Sequence, residues 1–240
     1  MKTPRPSLLA LAALLLSIFL PFAARADVFS DNFAANLNQK TLDALAGDIG
    51  ALVGGPSFHH GKALGFPIGI DVGVHAAFAG VDKEDKILRD NGATAHSGFV
   101  QAEYGLPGRI NVLGRIGKLY DADVYGGGLR WGVFTSDVPG LPSVSLSALY
   151  DQVKRGLFDA ETYSGNLVAS FDIPFIHPYI GVGYDATKVN PDGSALNGKS
   201  AGTRLEAGVN LSIIPFTYLS IGGGLANNRR LGHAGLGVRF

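Results

Sequence analysis

From Gly65 to the C-terminus, apolar and polar residues alternate with a period of two, the pattern of strands with one oily and one wet face. The clearest case is Thr203 to Ile213, where Leu205, Ala207, Val209, Leu211 and Ile213 interleave with Arg204, Glu206, Gly208, Asn210 and Ser212. Ile70, Val72, Val74, Ala76 and Phe78 alternate in the same way with Asp71, Gly73, His75 and Ala77. Segments of this kind predict ten strands, at about 69–81, 97–106, 109–120, 123–134, 143–153, 162–173, 177–189, 200–213, 216–226 and 230–240. Most reach the roughly 9 to 11 residues that a tilted strand needs to cross a bilayer. The expected fold is all-β: an antiparallel transmembrane β-barrel of 10–12 strands with a short N-terminal helix.

Connections such as Leu106-Pro107-Gly108 and Pro174-Phe175-Ile176 are short, whereas 82–96 and 190–199 are longer and polar. That alternation fits short periplasmic turns and longer outer loops, with Asp121-Ala122 and 135–142 as exceptions. Aromatic residues on the apolar faces fall into two bands: Phe78, Tyr120, Tyr125, Tyr150, Tyr163 and Tyr184 at one end, Tyr104, Trp131, Phe171 and Phe240 at the other. A membrane barrel explains two bands as interfacial girdles, while a soluble sandwich has no reason for them.

Ahead of the strands, Phe33, Leu37, Thr41, Ala44 and Leu45 recur with helical spacing, predicting a helix over about 31–46. Ser30 or Asp31 can cap its start and Gly47 can end it. The expected place is the periplasmic end of the barrel or inside its mouth. With both termini on the periplasmic side the strand number is even, so 48–66 supplies either no strand or a hairpin over 48–53 and 57–66 around Gly54-Gly55-Pro56. Ten and twelve strands are both allowed, with twelve preferred.

The first residues carry Lys2 and Arg5, an apolar run from Leu8 to Leu20, and the tripeptide Ala24-Arg25-Ala26. This reads as a secretory leader over 1–26, cut after Ala26, with the run too short for a membrane helix. The domain expectation is then a helix and lead-in over 27–56 and the barrel over 57–240. Losing the leader takes the formal charge from 0 to −3, so neither sign dominates and nucleic acid is not an expected partner. The absence of cysteine excludes disulfides and thiolate metal sites. Glycine, 34 of 240 residues, is spread through the strands rather than gathered in linkers, which suits crowded interiors and close backbone approach.

The wet faces collect Glu103, Arg115, Arg130, Asp151, Arg204 and Glu206, the candidate lumen-lining residues, together with Asp71, Asp172, Asp185 and Arg239. Such charges either form an ion-pair network that fills a narrow interior or line a path for polar solutes. Arg204, Glu206 and Arg130 are expected to face inward, and Leu205, Val209 and Trp131 to face lipid. Histidines 59, 60, 75, 96, 177 and 233 offer no metal spacing, since His59 and His60 would point to opposite faces of a strand. Ser57-Phe58-His59 is the one close Ser/His pair, without a surrounding catalytic motif. Gly126-Gly127-Gly128 and Gly222-Gly223-Gly224 precede no helix and are not phosphate loops; they are expected to let the wall curve or to make room for the N-terminal helix. No cofactor, metal site or enzyme activity is expected.

The C-terminal residues Leu236-Gly237-Val238-Arg239-Phe240 resemble the assembly signal of Gram-negative outer-membrane barrel proteins, with Leu236, Val238 and Phe240 as the alternating apolar positions and terminal Phe. Leu64 to Gly73 resembles a segment of outer-membrane barrels from an uncharacterised Gram-negative family. The resemblance implies the cell outer membrane, its lipid and lipopolysaccharide, and the barrel-assembly machinery as partners; it implies no activity. A passive channel or carrier for small solutes is the leading expectation, because inward glycines such as Gly73, Gly117, Gly126, Gly128, Gly181 and Gly208 leave space. A non-conducting structural or interaction barrel is the alternative, and an outer-membrane enzyme is third. Deleting Phe240 is expected to lower the yield of heat-modifiable protein in the outer-membrane fraction; unchanged insertion of that truncation would remove the assembly-signal argument.

Overall fold

The structure, a computed structural model, describes residues 26–54, 59–89, 92–136, 138, 140–212 and 214–240. The expected leader, apart from Ala26, and Ser57 lie outside the described residues. Ten antiparallel strands form one closed barrel, each paired with its neighbours in sequence and the last with the first. They are β1 (Ile70–Gly80), β2 (Thr94–Leu106), β3 (Ile110–Leu119), β4 (Ala122–Phe134), β5 (Pro142–Arg155), β6 (Phe158–Phe171), β7 (Ile176–Pro191), β8 (Gly198–Leu211), β9 (Thr217–Ala226) and β10 (Arg229–Arg239). Closure runs from Asp71 opposite Arg239 to Ala79 opposite Leu231, so no strand edge is left unpaired.

The expected facing holds. Arg130, Arg204 and Glu206 are buried inside, while Leu205 and Trp131 are about half exposed on the outer wall. Every charged residue on the outward faces of the strands sits at one end. There Lys118, Asp123, Lys154 and Asp159 lie opposite one another in register, as do Glu161, Lys188 and Lys199. That end, which also holds the connection 81–93 with helix α3 (Lys86–Arg89), is the upper end; Phe240 lies at the lower end. The expected contrast in connection length reduces to two segments, 81–93 and 192–197. The other upper connections are two-residue turns, including Asn227-Asn228 with both φ angles positive, the geometry a tight twisted hairpin requires.

The N-terminal region departs from expectation in three ways. One helix was expected over 31–46, but there are two, α1 (Ala26–Ala35) and α2 (Gln39–Gly54). Asn38 starts the second by accepting a hydrogen bond from the Thr41 amide at 3.0 Å, a cap that interrupts the periodicity. Second, the helix runs through Gly47 instead of ending there. Gly47, Gly50 and Gly54 fall on the face of α2 that lies against the wall, where an added Cβ would collide with Arg229, Thr187 and Arg204 respectively. Their carbonyl side is held from the wall: Asn227 donates to Gly47 O at 3.1 Å and Arg204 to Gly50 O at 2.9 Å. Glycine here lets a helix approach a wall closely, and tertiary hydrogen bonds offset its low helical propensity.

Third, α2 lies inside the barrel, as one of the two expected placements had it, but in the upper half and not at the lower end. Gln39 donates to Asn197 O in the upper connection, whereas Leu64, farther along the chain, bonds Asn111 near the lower end. The chain thus descends through the interior before entering β1. Residues 48–54 are helical and 59–64 form no strand, so the twelve-strand alternative is excluded: with this segment inside the barrel, the wall closes at ten. Tyr120 also leaves the expected aromatic girdle, since its positive φ turns it onto the upper core beside His96.

Leu205→Arg is expected to lower stability in bilayers by about 2–4 kcal/mol, because it puts a charge in the uncharged outward band. The same change at Lys199, in the charged upper rows, is expected to cost almost nothing. Urea titrations of both variants in lipid vesicles check the contrast, and equal effects would contradict the assigned facing.

Candidate functional site

The interior has three levels. In the upper level Leu42, Leu45, Ile49, Leu52 and Val53 of α2 are fully or almost fully buried among Phe99, Leu119, Val124, Val153, Phe158 and Val189 of the wall. Phe33 of α1 stacks on Phe158 at 5.5 Å, extending this core toward the mouth. A polar clasp holds α2 to the upper connection. Asp48 accepts from the Asp82 amide at 3.1 Å and from Arg229, which also reaches Asp82 at 3.3 Å and Ala44 O at 3.2 Å. Asp85, fully buried beside Asp48, accepts from the Ile87 and Leu88 amides at 3.0 Å and so starts α3.

The middle level is ionic. All six candidate lining residues are there, each at most 3% exposed and each paired. Arg115 grips Asp151 through two nitrogens at 2.7 and 2.5 Å. Arg130 meets Glu103 at 3.0 Å. Arg204 bonds Asp185 at 2.5 Å and Glu206 at 3.2 Å, and Glu206 meets His233 at 2.9 Å. Buried charges persist only where partners compensate lost hydration, and bidentate arginine pairs do this well.

Two tyrosines that the sequence reading did not single out complete this level. Tyr179 Oη lies 3.1 Å from His233 Nε2, and Tyr218 donates to Asp71 at 2.9 Å. Both are accommodated by glycines on neighbouring strands. A Cβ added at Gly73 would lie 2.6 Å from Tyr218 Oη, and one at Gly208 or Gly222 would overlap Tyr179 Oη. Of the glycines expected to leave space, Gly73, Gly126 and Gly208 therefore face side chains that fill it, and Gly117 and Gly128 lie close against the backbone of the adjacent strand. Likewise Gly126 faces Asp151 and Gly222 faces His233 as well as Tyr179, so these runs make room for wall side chains and not for the helix. The available signal was a tyrosine on the wet face of a strand whose neighbours carry glycine at the facing positions.

His59 and His60 are not on a strand, and their rings pack edge to face at 4.5 Å, which overturns the opposite-faces argument. With Glu103 they form a set whose ligand atoms lie within 4.8 Å of one another. Arg130 already uses two of them. His60 Nδ1 faces Lys62 O at 2.8 Å and must donate to it, so Nε2 accepts from Arg130 Nη1 at 2.7 Å, while Arg130 also holds Glu103. A cation would have to displace a guanidinium, and the donor set does not fit one. His59 sits instead between His75 and Tyr218, with its Nε2 3.9 Å from Asp71. His96 is apart at the upper end, and His177 belongs to the lower level.

The lower level is a vestibule of about 390 Å³, with His60 and Tyr218 among its lining residues. Lys62 meets Asp172 at 2.7 Å, and His177 meets the other oxygen of that carboxylate at 3.3 Å. Arg239 bonds Asp71 at 2.7 Å and lies over the Tyr218 ring at 4.9 Å.

No protein-family model and no curated relative matches the chain. Among solved structures, Neisserial surface protein A aligns with 17% identity over 71% of this chain and 97% of its own, at a TM-score of 0.37. An outer-membrane channel from Pseudomonas putida F1 aligns with 10% identity over 75% and 98%, at 0.49. Ail, the attachment invasion locus protein of Yersinia pestis, aligns with 14% identity over 72% and 97%, at 0.35. These scores assign neither activity nor location to this chain.

Burial, and then the Asp48 carboxylate, push the Asp85 carboxyl up to about 8 from an ordinary value near 3.8. The charged groups around this pair are Arg229, which donates to Asp48, and the Asp82 carboxylate, which meets Arg229 while the Asp82 amide donates to Asp48. Between those two pH values the folded protein keeps a proton that the unfolded chain releases. Stability is therefore expected to fall as pH rises from about 4 to about 8 and to level off above it. Asp85→Asn is expected to flatten that dependence and to unfold later than the parent at pH 9, measured as thermal midpoints from pH 5 to 9. An unaltered slope in the variant would mean the clasp is not the titrating element.

Proposed function

We propose that the chain is an outer-membrane β-barrel that does not conduct in this state, closed by its own N-terminal segment and open only to a vestibule on the periplasmic side. The observation that carries this reading is the burial of Leu42, Leu45, Ile49, Leu52 and Val53 in a core shared with the wall. Burying five such side chains contributes on the order of 7–15 kcal/mol as an upper estimate. That is comparable with the whole stability of a typical domain, so α2 is part of the core and not a light gate.

Outer-membrane location is supported by the outward face of the wall. Below the charged rows it is uncharged and carries residues such as Val100, Leu129, Leu146, Leu167, Ile180 and Leu205. On β5 the band from Pro142 to Gln152 spans about 25 Å at ordinary strand rise and tilt. Outward Lys118, Lys154, Lys188, Lys199 and Arg230 at the upper end suit the phosphates of lipopolysaccharide, which would make that end the cell exterior. The terminal strand with Leu236, Val238 and Phe240 is then the contact for the assembly machinery on the periplasmic side.

A passive channel remains the second reading, favoured by the polar contacts that hold one face of α2 to Arg229, Arg204 and Asn227. Planar-bilayer recordings on the full mature chain separate the two. The plugged reading expects no steady conductance, with openings appearing only in a variant lacking residues 27–54. A steady open level in the full chain would overturn it.

A further inference from the structure

Two side chains that line the lower vestibule carry an atom with no partner among the described residues, as do several side chains higher in the interior, but here a cavity lies beside them. Asn210 is 1% exposed and donates its Nδ2 to His59 O, yet its Oδ1 has no partner among the described residues. Arg239 uses Nε on Asp71, and its enclosed Nη2 has no partner. Burying such groups unpaired is unfavourable, the more so for a charged one, and a bound ligand would recover that cost.

Charge narrows the ligand class. Lys62, His177 and Arg239 approach the cavity, and of the two carboxylates that balance them Asp71 lies deep, at 3% exposed. The other carboxylate, Asp172, lines the cavity but has both oxygens held by Lys62 and His177, and Asn210 Oδ1 is left as an acceptor for a hydroxyl. Anionic oxygens fit this arrangement better than cations do.

The rim adds the apolar half. Ile214, Phe216 and Phe240 border the vestibule and are 57%, 64% and 59% exposed on the outside, and the two phenylalanine rings stack at 5.3 Å. The cavity therefore joins the apolar outer wall of the barrel at its lower end. Its volume holds a head group and a few methylenes, so a longer chain would leave across this rim.

We propose that the vestibule binds an anionic amphiphile, with the anionic oxygens of a phosphate head on Arg239 and Lys62, a hydroxyl of that head donating to Asn210 Oδ1, and an apolar chain leaving over Ile214, Phe216 and Phe240. The source is either a phospholipid of the adjoining leaflet or a free alkyl phosphate. Binding requires no opening of α2, so it does not depend on whether the barrel conducts.

Titration calorimetry on the full mature chain in a non-ionic maltoside detergent, with dodecyl phosphate as probe, tests it. The expected result is saturable binding of one probe per barrel, while inorganic phosphate binds at least tenfold more weakly. Lys62→Met and Asn210→Leu are expected to weaken dodecyl phosphate at least fivefold, and Lys118→Met, in the upper outward row, to leave it unchanged. Arg239→Lys keeps the charge on Asp71 and serves where Arg239→Gln fails to fold; it too is expected to weaken the probe. Mass spectrometry of protein purified directly from membranes distinguishes the sources: a stoichiometric phospholipid identifies the lipid, and its absence alongside probe binding identifies the free anion. No saturable binding, or binding indifferent to Lys62, Asn210 and Arg239 alike, overturns the proposal.

Discussion

A ten-stranded wall closed on itself encloses more space than its own inward residues fill, and that deficit shapes the rest of the molecule. The chain answers by placing residues 39–54 and 59–64 inside the barrel before β1 begins. Leu42, Leu45, Ile49 and Leu52 then supply the apolar volume that Ala77, Ala79 and Ala226 leave open above. A soluble protein places its core between layers; here the core is a helix inside a tube whose outer surface is itself apolar.

The same deficit explains the ionic level. Below Val53 the interior is filled by long polar side chains reaching across the tube, and each requires a partner because little water remains. Arg115 with Asp151, Arg130 with Glu103, and Arg204 with Asp185 and Glu206 are the outcome. Tyr179 and Tyr218 lie across glycines for the same reason, with their hydroxyls directed at His233 and Asp71. Single atoms stay unpaired at every level, but at the lower end those of Asn210 and Arg239 lie beside open space. Function, in this molecule, is to be sought where packing and pairing stop.

Two ends of different character follow. The upper end is closed by α2, α3 and the clasp around Asp48, with alternating charges on its outer rows. The lower end is open, with a polar floor and an apolar rim that continues the outward band. Such polarity gives the barrel a direction, independent of any passage through it.

The sequence alone determined the wall. A period of two cannot be satisfied unless one face of each strand is oily and the other is enclosed, so strand positions, inward and outward facing and the inward location of the six charged candidates were legible from Arg204-Leu205-Glu206 and segments like it. Which charges pair was not legible, because Arg115 and Asp151 lie 36 positions apart and meet only through register. The fate of the glycines was also decided by tertiary structure. Local propensity makes Gly47 a helix stop and Gly73 an empty place, but against a wall Gly47 becomes a contact surface, and beside Tyr218 Gly73 becomes room for a ring. The place of residues 39–54 and 59–64 inside the barrel depended most on the whole fold, since a hairpin on the wall and a plug inside it differ only in which volume the closed barrel has left unfilled.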